Sequence, residues 1–369
     1  MSSTPVIGLV GSQGAYGRWL RQFFEQRMQL PVIGFDPVDP ASESLDHVLD
    51  AADVLLFTAP IRHTVSIIDD CVARSAGRER GRLWLDITSI KQAPVAAMCR
   101  SQADVVGLHP MTAPPKSPTL KGRVLVVCEA RLDHWRDWLA KLLAALEAEV
   151  VRIDAEHHDR AMTLVQAMVH ATHLAQAAVV RSHATSLGPP SSLLPMRTAA
   201  FEMDHAIVTR ILSLNPQIYE DIQFDNPHVP EMLDRLADEL TTLRDLVRSG
   251  GEAARKAFRT RFLHDSHDAY GTEVLGEGNH AFERIAYLLA DLLETPSLAL
   301  HLPDDRSGSL RALLEVFERH GVSLSSIHSS RTPAGEVHFR FGFAADQDRA
   351  ALDAVVRDIE ASAIGRMID

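Results

Sequence analysis

The sequence predicts a doubly wound α/β sheet, followed by an all-helical block and a small α+β module. Three observations carry this reading. Short apolar strands alternate with helical patterns from Val6 to Ile153. Strand patterns then vanish between Asp154 and about Glu294, and they return in β-α-β-β-α order from Ser297 onward. Repeated β-α units with short connections favour a mostly parallel sheet covered on both faces. The expected domains are residues 1–153, 154–295 and 296–369.

A chain of 369 residues can hold two or three separate cores. Its 46% hydrophobic and 23% charged residues are those of an ordinary globular protein. A formal net charge of −12 argues against a general nucleic-acid binder, which needs a basic face. It leaves a small anionic substrate open, because a few placed cations decide that locally. No apolar run approaches the ~18 residues of a membrane span. Met1 to Pro5 leads straight into a strand without a basic or apolar leader pattern. Cys71, Cys99 and Cys128 are dispersed and odd in number, which fits reduced thiols in a cytoplasmic protein.

The first element, Val6 to Val10, is an apolar strand, and Arg18 to Met28 is a helix with apolar residues at Trp19, Leu20, Phe23 and Phe24. Between them lies Gly11-Ser12-Gln13-Gly14-Ala15-Tyr16-Gly17. Strand, glycine loop and helix form the context of a Rossmann-type dinucleotide site, where glycines admit the pyrophosphate and the helix start offers free N–H groups. The strict fingerprint has glycine where Ser12 stands. The second strand, Pro31 to Phe35, ends at Asp36, where an acid is expected to meet the adenosine ribose. A carboxylate there repels a 2′-phosphate, so NAD is expected rather than NADP.

The alternation continues with strands at 53–58, 82–86, 105–108, 123–128 and 149–153 and helices at 61–73, 95–100 and 133–146. In such sheets ligands bind at the carboxyl ends of the strands. Leu85 to Lys91 and Val105 to Met111 each run from apolar strand into polar groups, so Ser89, Lys91 and His109 are expected to converge on one crevice. The Pro-rich stretch Thr112 to Pro118 reads as a loop over the strand ends. Helices follow at 156–185, 196–214, 228–249, 251–268 and 278–294, broken at Gly188-Pro189-Pro190, Asn215-Pro216, Asn226-Pro227 and Gly250-Gly251.

At these residues the chain resembles the prephenate dehydrogenases. Asp86-Ile87-Thr88-Ser89-Ile90-Lys91 and Gly107-Leu108-His109-Pro110-Met111 are similar to that family's active-site segments. Glu156-His157-His158-Asp159 with Gln166 to His170 resembles the opening of its helical domain. Ala206 to Arg210, then Asn215 to Ile222, resemble its substrate-binding helix and the turn after it. The segments occur in family order across residues 6–290. Departures are Ser12 in the loop and Thr112-Ala113-Pro114-Pro115 after His-Pro-Met. No helical mutase segment precedes the first strand, so the monofunctional form is expected.

The resemblance implies oxidative decarboxylation of prephenate to 4-hydroxyphenylpyruvate with NAD⁺ as hydride acceptor. It implies His109 as the group that takes or polarises the hydroxyl proton, with Ser89 bonded to His109 or to the same hydroxyl. Arg210 is implied as a carboxylate anchor, since a guanidinium holds a carboxylate bidentately. Lys91 is a second cation for substrate or cofactor, and Gln217 and Tyr219 are expected to line the pocket. A homodimer through the helical block is expected. Arogenate as substrate, or an aromatic-amino-acid sensor without turnover, remain alternatives. His157-His158 and His170-x-x-His173 show no third ligand at metal-site spacing, so no metal is expected.

The last module reads as strands at 297–302, 323–328 and 336–343, helices at 309–320 and 347–360, and a final strand at 363–367. This is the ferredoxin-like order. Asp304 to Leu310 and the following helix resemble an ACT domain, which implies sensing of tyrosine or another aromatic amino acid. In related dehydratases the second strand ends Glu-Ser-Arg-Pro; here the matching stretch is His328-Ser329-Ser330-Arg331.

Overall fold

A computed structural model describes residues 4–294, 296–302, 306–331, 337–344, 346–362 and 364–368. Thr295, Asp304, Asp305, Glu336 and Ala363, on which parts of the C-terminal reading fall, lie outside the described residues. The chain forms two compact units, one of residues 1–197 and 203–239, the other of 198–202 and 240–369.

The first unit begins with β1 (Ile7–Val10), α1 (Ala15–Gln22) and a π-helical turn over Phe23–Met28. Next come β2 (Val32–Phe35), α2 (Leu45–Ala51), β3 (Val54–Phe57), α3 (Ile61–Ser75), β4 (Leu83–Asp86) and α4 (Gln92–Met98). The sheet is completed by β5 (Asp104–Pro110), β6 (Val124–Arg131), α5 (Arg136–Leu146) and β7 (Glu149–Arg152). Strand order is β2-β1-β3-β4-β5-β6-β7. All pairs are parallel except β5 with β6. The winding reverses between β1 and β3, which opens a crevice at their carboxyl ends. Alternate residues of each strand face opposite cores. Ile7, Leu9, Leu56 and Leu85 join one apolar cluster, whereas Val10, Leu55, Phe57 and Trp84 join the other.

Helix α2 was absent from the sequence-based expectation. It is short, follows a polar run, and buries only Val48 and Leu49. Its start is fixed by Ser44, whose hydroxyl accepts from the His47 N–H at 3.2 Å.

The helical segment of this unit runs α6 (Ala155–Met162), a π-helical turn over Thr163–Met168, α7 (Val169–Ser182) and α8 (Ala184–Leu187). A 3-10 turn (Pro190–Met196) precedes α9 (Ala199–Ser213) and α10 (Pro216–Asp225), and α11 (Val229–Ser249) starts in this unit. Helix α10 corrects the turn expected over Asn215 to Ile222. Asn215 caps it by accepting from Gln217 N–H at 3.1 Å, and Pro216 occupies its first turn, so the residues that look like a break begin a helix.

The second unit contains α12 (Gly251–Phe258), a π-helical turn over Arg259–His264, α13 (Asp265–Tyr270) and α14 (Thr272–Glu294). Then follow β8 (Ser297–Leu302), α15 (Ser309–Arg319), β9 (Leu324–Arg331), β10 (Val337–Phe343), α16 (Arg349–Ala361) and β11 (Arg366–Ile368). The described strands form an antiparallel sheet ordered β11-β8-β10-β9, the ferredoxin-like arrangement. Phe339, Phe341 and Phe343 alternate inward from β10 and pack with Leu313, Val316 and Phe317 of α15. No described helix is long and apolar enough to cross a membrane.

Candidate active site

Strands β1, β3, β4 and β5 are parallel, so Gly11, Thr58, Asp86 and His109 lie at the same edge of the sheet. At the β1 end the chain turns through Gly11 at φ +94° into α1. Gly17 lies against this turn; a Cβ there would meet the Gly11 carbonyl oxygen at 2.3 Å, so only glycine fits. Ser12 is buried behind the loop, where Gly34 of β2 makes room: a Cβ on Gly34 would lie 2.7 Å from the Ser12 Cβ. The departure from the strict glycine fingerprint is thereby absorbed by its neighbour. Gln13 N–H donates to the Asp36 carboxylate at 2.8 Å, tying the loop to the end of β2. Gly14 and Ala15 at the start of α1 are exposed. Gly-rich turn, open helix start and acid at the next strand end are the parts that hold a dinucleotide.

Tyr16 points away from this loop. Its hydroxyl donates to the Thr112 carbonyl at 2.6 Å, and the Trp19 indole N–H donates to the Ser117 carbonyl at 3.0 Å. The Pro-rich segment after β5 is thus moored on α1. Burial raises the Tyr16 phenol far above its ordinary range.

His109 is 2% exposed. Its Nδ1 lies 2.9 Å from Nε2 of His158, whose own Nδ1 lies 2.7 Å from Oδ1 of Asp159. Asp159 also accepts the backbone N–H groups of Lys91 at 2.7 Å and Gln92 at 2.9 Å. The Nε2 of His109 has no partner among the described residues. Burial pushes the His109 pKa well below 6.5, with His158 and Lys91 adding to the effect, and burial also lowers that of His158. Both rings are therefore neutral imidazoles at pH 7.

Lys91 is not presented to a ligand, contrary to its expected role as a substrate or cofactor cation. Its side chain is 0% exposed, its ammonium is paired with Asp86, and it donates to the Leu108 carbonyl at 2.8 Å. Burial pushes Asp86 up to about 6, against the pull of Lys91, and lowers Lys91 against the pull of Asp86. Ser89 is partly exposed and makes no hydrogen bond to His109. In place of Ser89 and the Lys91 ammonium, His109 meets His158, which is held by Asp159. The sequence showed both only as part of a motif, and their contact with His109 spans 49 residues.

Arg210 is exposed on α9, close enough to Tyr219 to oppose the rise that burial causes in its phenol pKa. Tyr219 stands edge-on to His170, ring centroids 4.8 Å apart. Gln217 is exposed on α10, the helix that also carries Tyr219. Helix α10 is fastened to α3 by Arg62, whose Nε donates to Asp221 at 2.5 Å and whose Nη2 donates to Glu220 at 2.9 Å. His170 and His173 turn to different partners: His173 Nε2 lies 3.3 Å from Asp204. Gln166 Oε1 and His170 Nδ1 are buried polar atoms without a partner among the described residues. Such atoms cost free energy unless something else bonds them.

The family model for the prephenate dehydrogenase dimerization domain matches residues 154–260. The chain is 24% identical over 260 residues to a probable arogenate/prephenate dehydrogenase of Methanocaldococcus jannaschii, covering 66% of this chain and 57% of that protein. It is 28% identical over 230 residues to the T-protein of Enterobacter agglomerans, covering 59% and 56%. The chain thus spans little more than half the length of these curated relatives. The structure of prephenate dehydrogenase from A. aeolicus in complex with hydroxyphenyl propionate and NAD⁺ superposes with a TM-score of 0.55 at 20% identity, over 70% of this chain and 96% of that one.

Proposed function

We propose that this chain, whose residues 154–260 match the prephenate dehydrogenase dimerization-domain model, oxidises and decarboxylates prephenate to 4-hydroxyphenylpyruvate, with NAD⁺ bound at the glycine loop. The observation that carries this reading is His109: a buried neutral imidazole at a strand end, its Nε2 without a partner among the described residues, at the same edge of the sheet as the glycine loop. NAD⁺ supplies the hydride acceptor. Gly11 to Gly17 would hold its pyrophosphate, and the Asp36 carboxylate its adenosine ribose.

Prephenate carries a hydroxyl and a hydrogen on ring C4. His109 Nε2 accepts the hydrogen bond of that hydroxyl and draws its proton as the C4 hydride leaves. When CO₂ departs from C1, its bonding electrons complete the aromatic ring, and the phenol oxygen regains the proton. One hydride leaves and one CO₂ is lost, with no net proton released. Arg210 would hold a substrate carboxylate, and Gln166, His170, Gln217 and Tyr219 would line the side-chain pocket. Ser89 remains a candidate for the hydroxyl.

Helix α7 buries none of its residues, and Val179 on it is 58% exposed. That apolar surface supports a homodimer through the helical segment, which sedimentation of the purified protein will test. The β-α-β-β-α-β module supports an ACT-like role in sensing an aromatic amino acid.

The deciding assay is NADH appearance with NAD⁺ and either prephenate or arogenate, each with and without tyrosine. Turnover of prephenate is the expected result. Turnover of arogenate alone moves the substrate, and turnover of neither overturns the reading.

A further inference from the structure

Asp159 accepts backbone N–H groups on both of its oxygens, from Lys91 on Oδ1 and from Gln92 on Oδ2. A backbone N–H can only donate, so both oxygens are acceptors, and two such donations stabilise the ionised carboxylate. The third contact on Oδ1, at 2.7 Å, must then be a donation from His158 Nδ1–H. Burial disfavours a second proton on this imidazole, so its Nε2 carries a lone pair. The Nδ1 of His109, 2.9 Å away, must therefore be the donor, and the remaining nitrogen of His109, Nε2, is bare. The direction of every bond in the chain follows from two backbone amides on Asp159 and from the burial that keeps His158 neutral.

We propose that His158 and Asp159 are positioning residues for His109: they fix the tautomer that leaves its Nε2 free to take a proton and supply an acceptor for the imidazolium that results. The proposal rests on the dehydrogenase reading for its catalytic meaning, but the tautomers themselves do not. The charged and titratable groups that act on His109 and His158 are Lys91 and Asp159, with Asp86 paired to Lys91. Were His158 to present an N–H to His109 instead, His109 would carry its proton on Nε2 and be no base there.

The test uses the full chain labelled with ¹⁵N-histidine, with signals assigned through the His109→Asn and His158→Gln variants. Long-range proton–nitrogen spectra at neutral pH are expected to show protonated Nδ1 and bare Nε2 on both rings. A proton on Nε2 of His109 overturns the proposal, whether or not the protein turns over prephenate. In the dehydrogenase assay, His158→Leu removes the acceptor and is expected to lower kcat by roughly 10- to 1,000-fold, with KM for prephenate changed by less than about threefold. His158→Gln retains an amide oxygen near the Nε2 position and is expected to restore at least about tenfold of that loss. If the Leu variant does not fold by circular dichroism, the Gln variant and the tautomer spectra decide. A wild-type kcat in both variants overturns the proposal, whereas absent turnover in the unaltered protein overturns the dehydrogenase reading alone.

Discussion

Lys91 and Asp86 face each other with both side chains fully buried, 0% exposed, and Lys91 donates to the carbonyl of Leu108, the residue before His109. Burying either charge alone is expensive, and their attraction offsets that cost only while both are present. Lys91→Met is therefore expected to destabilise the first unit by about 3–5 kcal/mol in denaturant titration, by leaving Asp86 buried without its cation. The double variant Asp86→Leu/Lys91→Met should regain most of that loss. A double variant no more stable than the single one would show that the pair contributes more than mutual compensation.

His109→Asn is expected to lower kcat with prephenate by roughly 10²–10⁴-fold, with a smaller change in KM, because the lost interaction belongs to the transition state. Steady-state kinetics beside a wild-type control read this directly. An unchanged kcat would place the proton acceptor elsewhere.

Arg210 has no carboxylate partner among the described residues and stands beside Tyr219. Arg210→Gln is expected to raise the KM for prephenate chiefly, by an amount equivalent to about 2–5 kcal/mol if the ion pair is desolvated in the complex. A loss of NAD⁺ affinity without a loss of substrate affinity would move Arg210 out of the substrate pocket.

Ser12 and Gly34 occupy one space between the loop and β2. Gly34→Ala is expected to destabilise the protein and weaken NAD⁺ binding. Ser12→Gly in the same chain should relieve much of both effects, since the Cβ that clashes is then gone. Equal damage in both backgrounds would point instead to the Arg21 guanidinium, which a Cβ on Gly34 would meet at 2.6 Å.

His109, His158 and His170 all have native pKa values below 6.5, because burial disfavours their charged forms. Below pH 6.5 the unfolded chain binds protons that the native state does not, so stability falls as pH drops. Each histidine contributes a slope of up to about 1.4 kcal/mol per pH unit between 6.5 and its native pKa. Asp86 works against this between about 6 and 3.8, where the native carboxyl holds a proton that the unfolded one has lost. Three histidines outweigh one carboxyl, so stability measured by denaturant titration is expected to be lower at pH 5 than at pH 7. A flat or rising stability on acidification would contradict the burial of these rings.

The sheet was legible because fully buried strands leave continuous apolar runs such as Val54 to Phe57, and because glycines mark the loop after β1. Helix α10 was missed because Asn215-Pro216 serves equally as a break and as a helix start, and only the tertiary hold of Arg62 on Asp221 selects the latter. Lys91 misled for a related reason. A lysine near a helix start is ordinarily solvated, and nothing local reveals that Asp86, five residues earlier, will be buried with it. The contact between His109 and His158 is long-range and leaves no periodic trace.

Asp159 on α6 holds the first amides of α4 and, through His158, the ring of His109. In mechanical terms this carboxylate is a weld rather than a bearing. The start of the helical segment cannot slide along the sheet without breaking the hydrogen bonds that reach His109 through His158. The joint that keeps the two segments together is the same one that holds the ring of His109 in place.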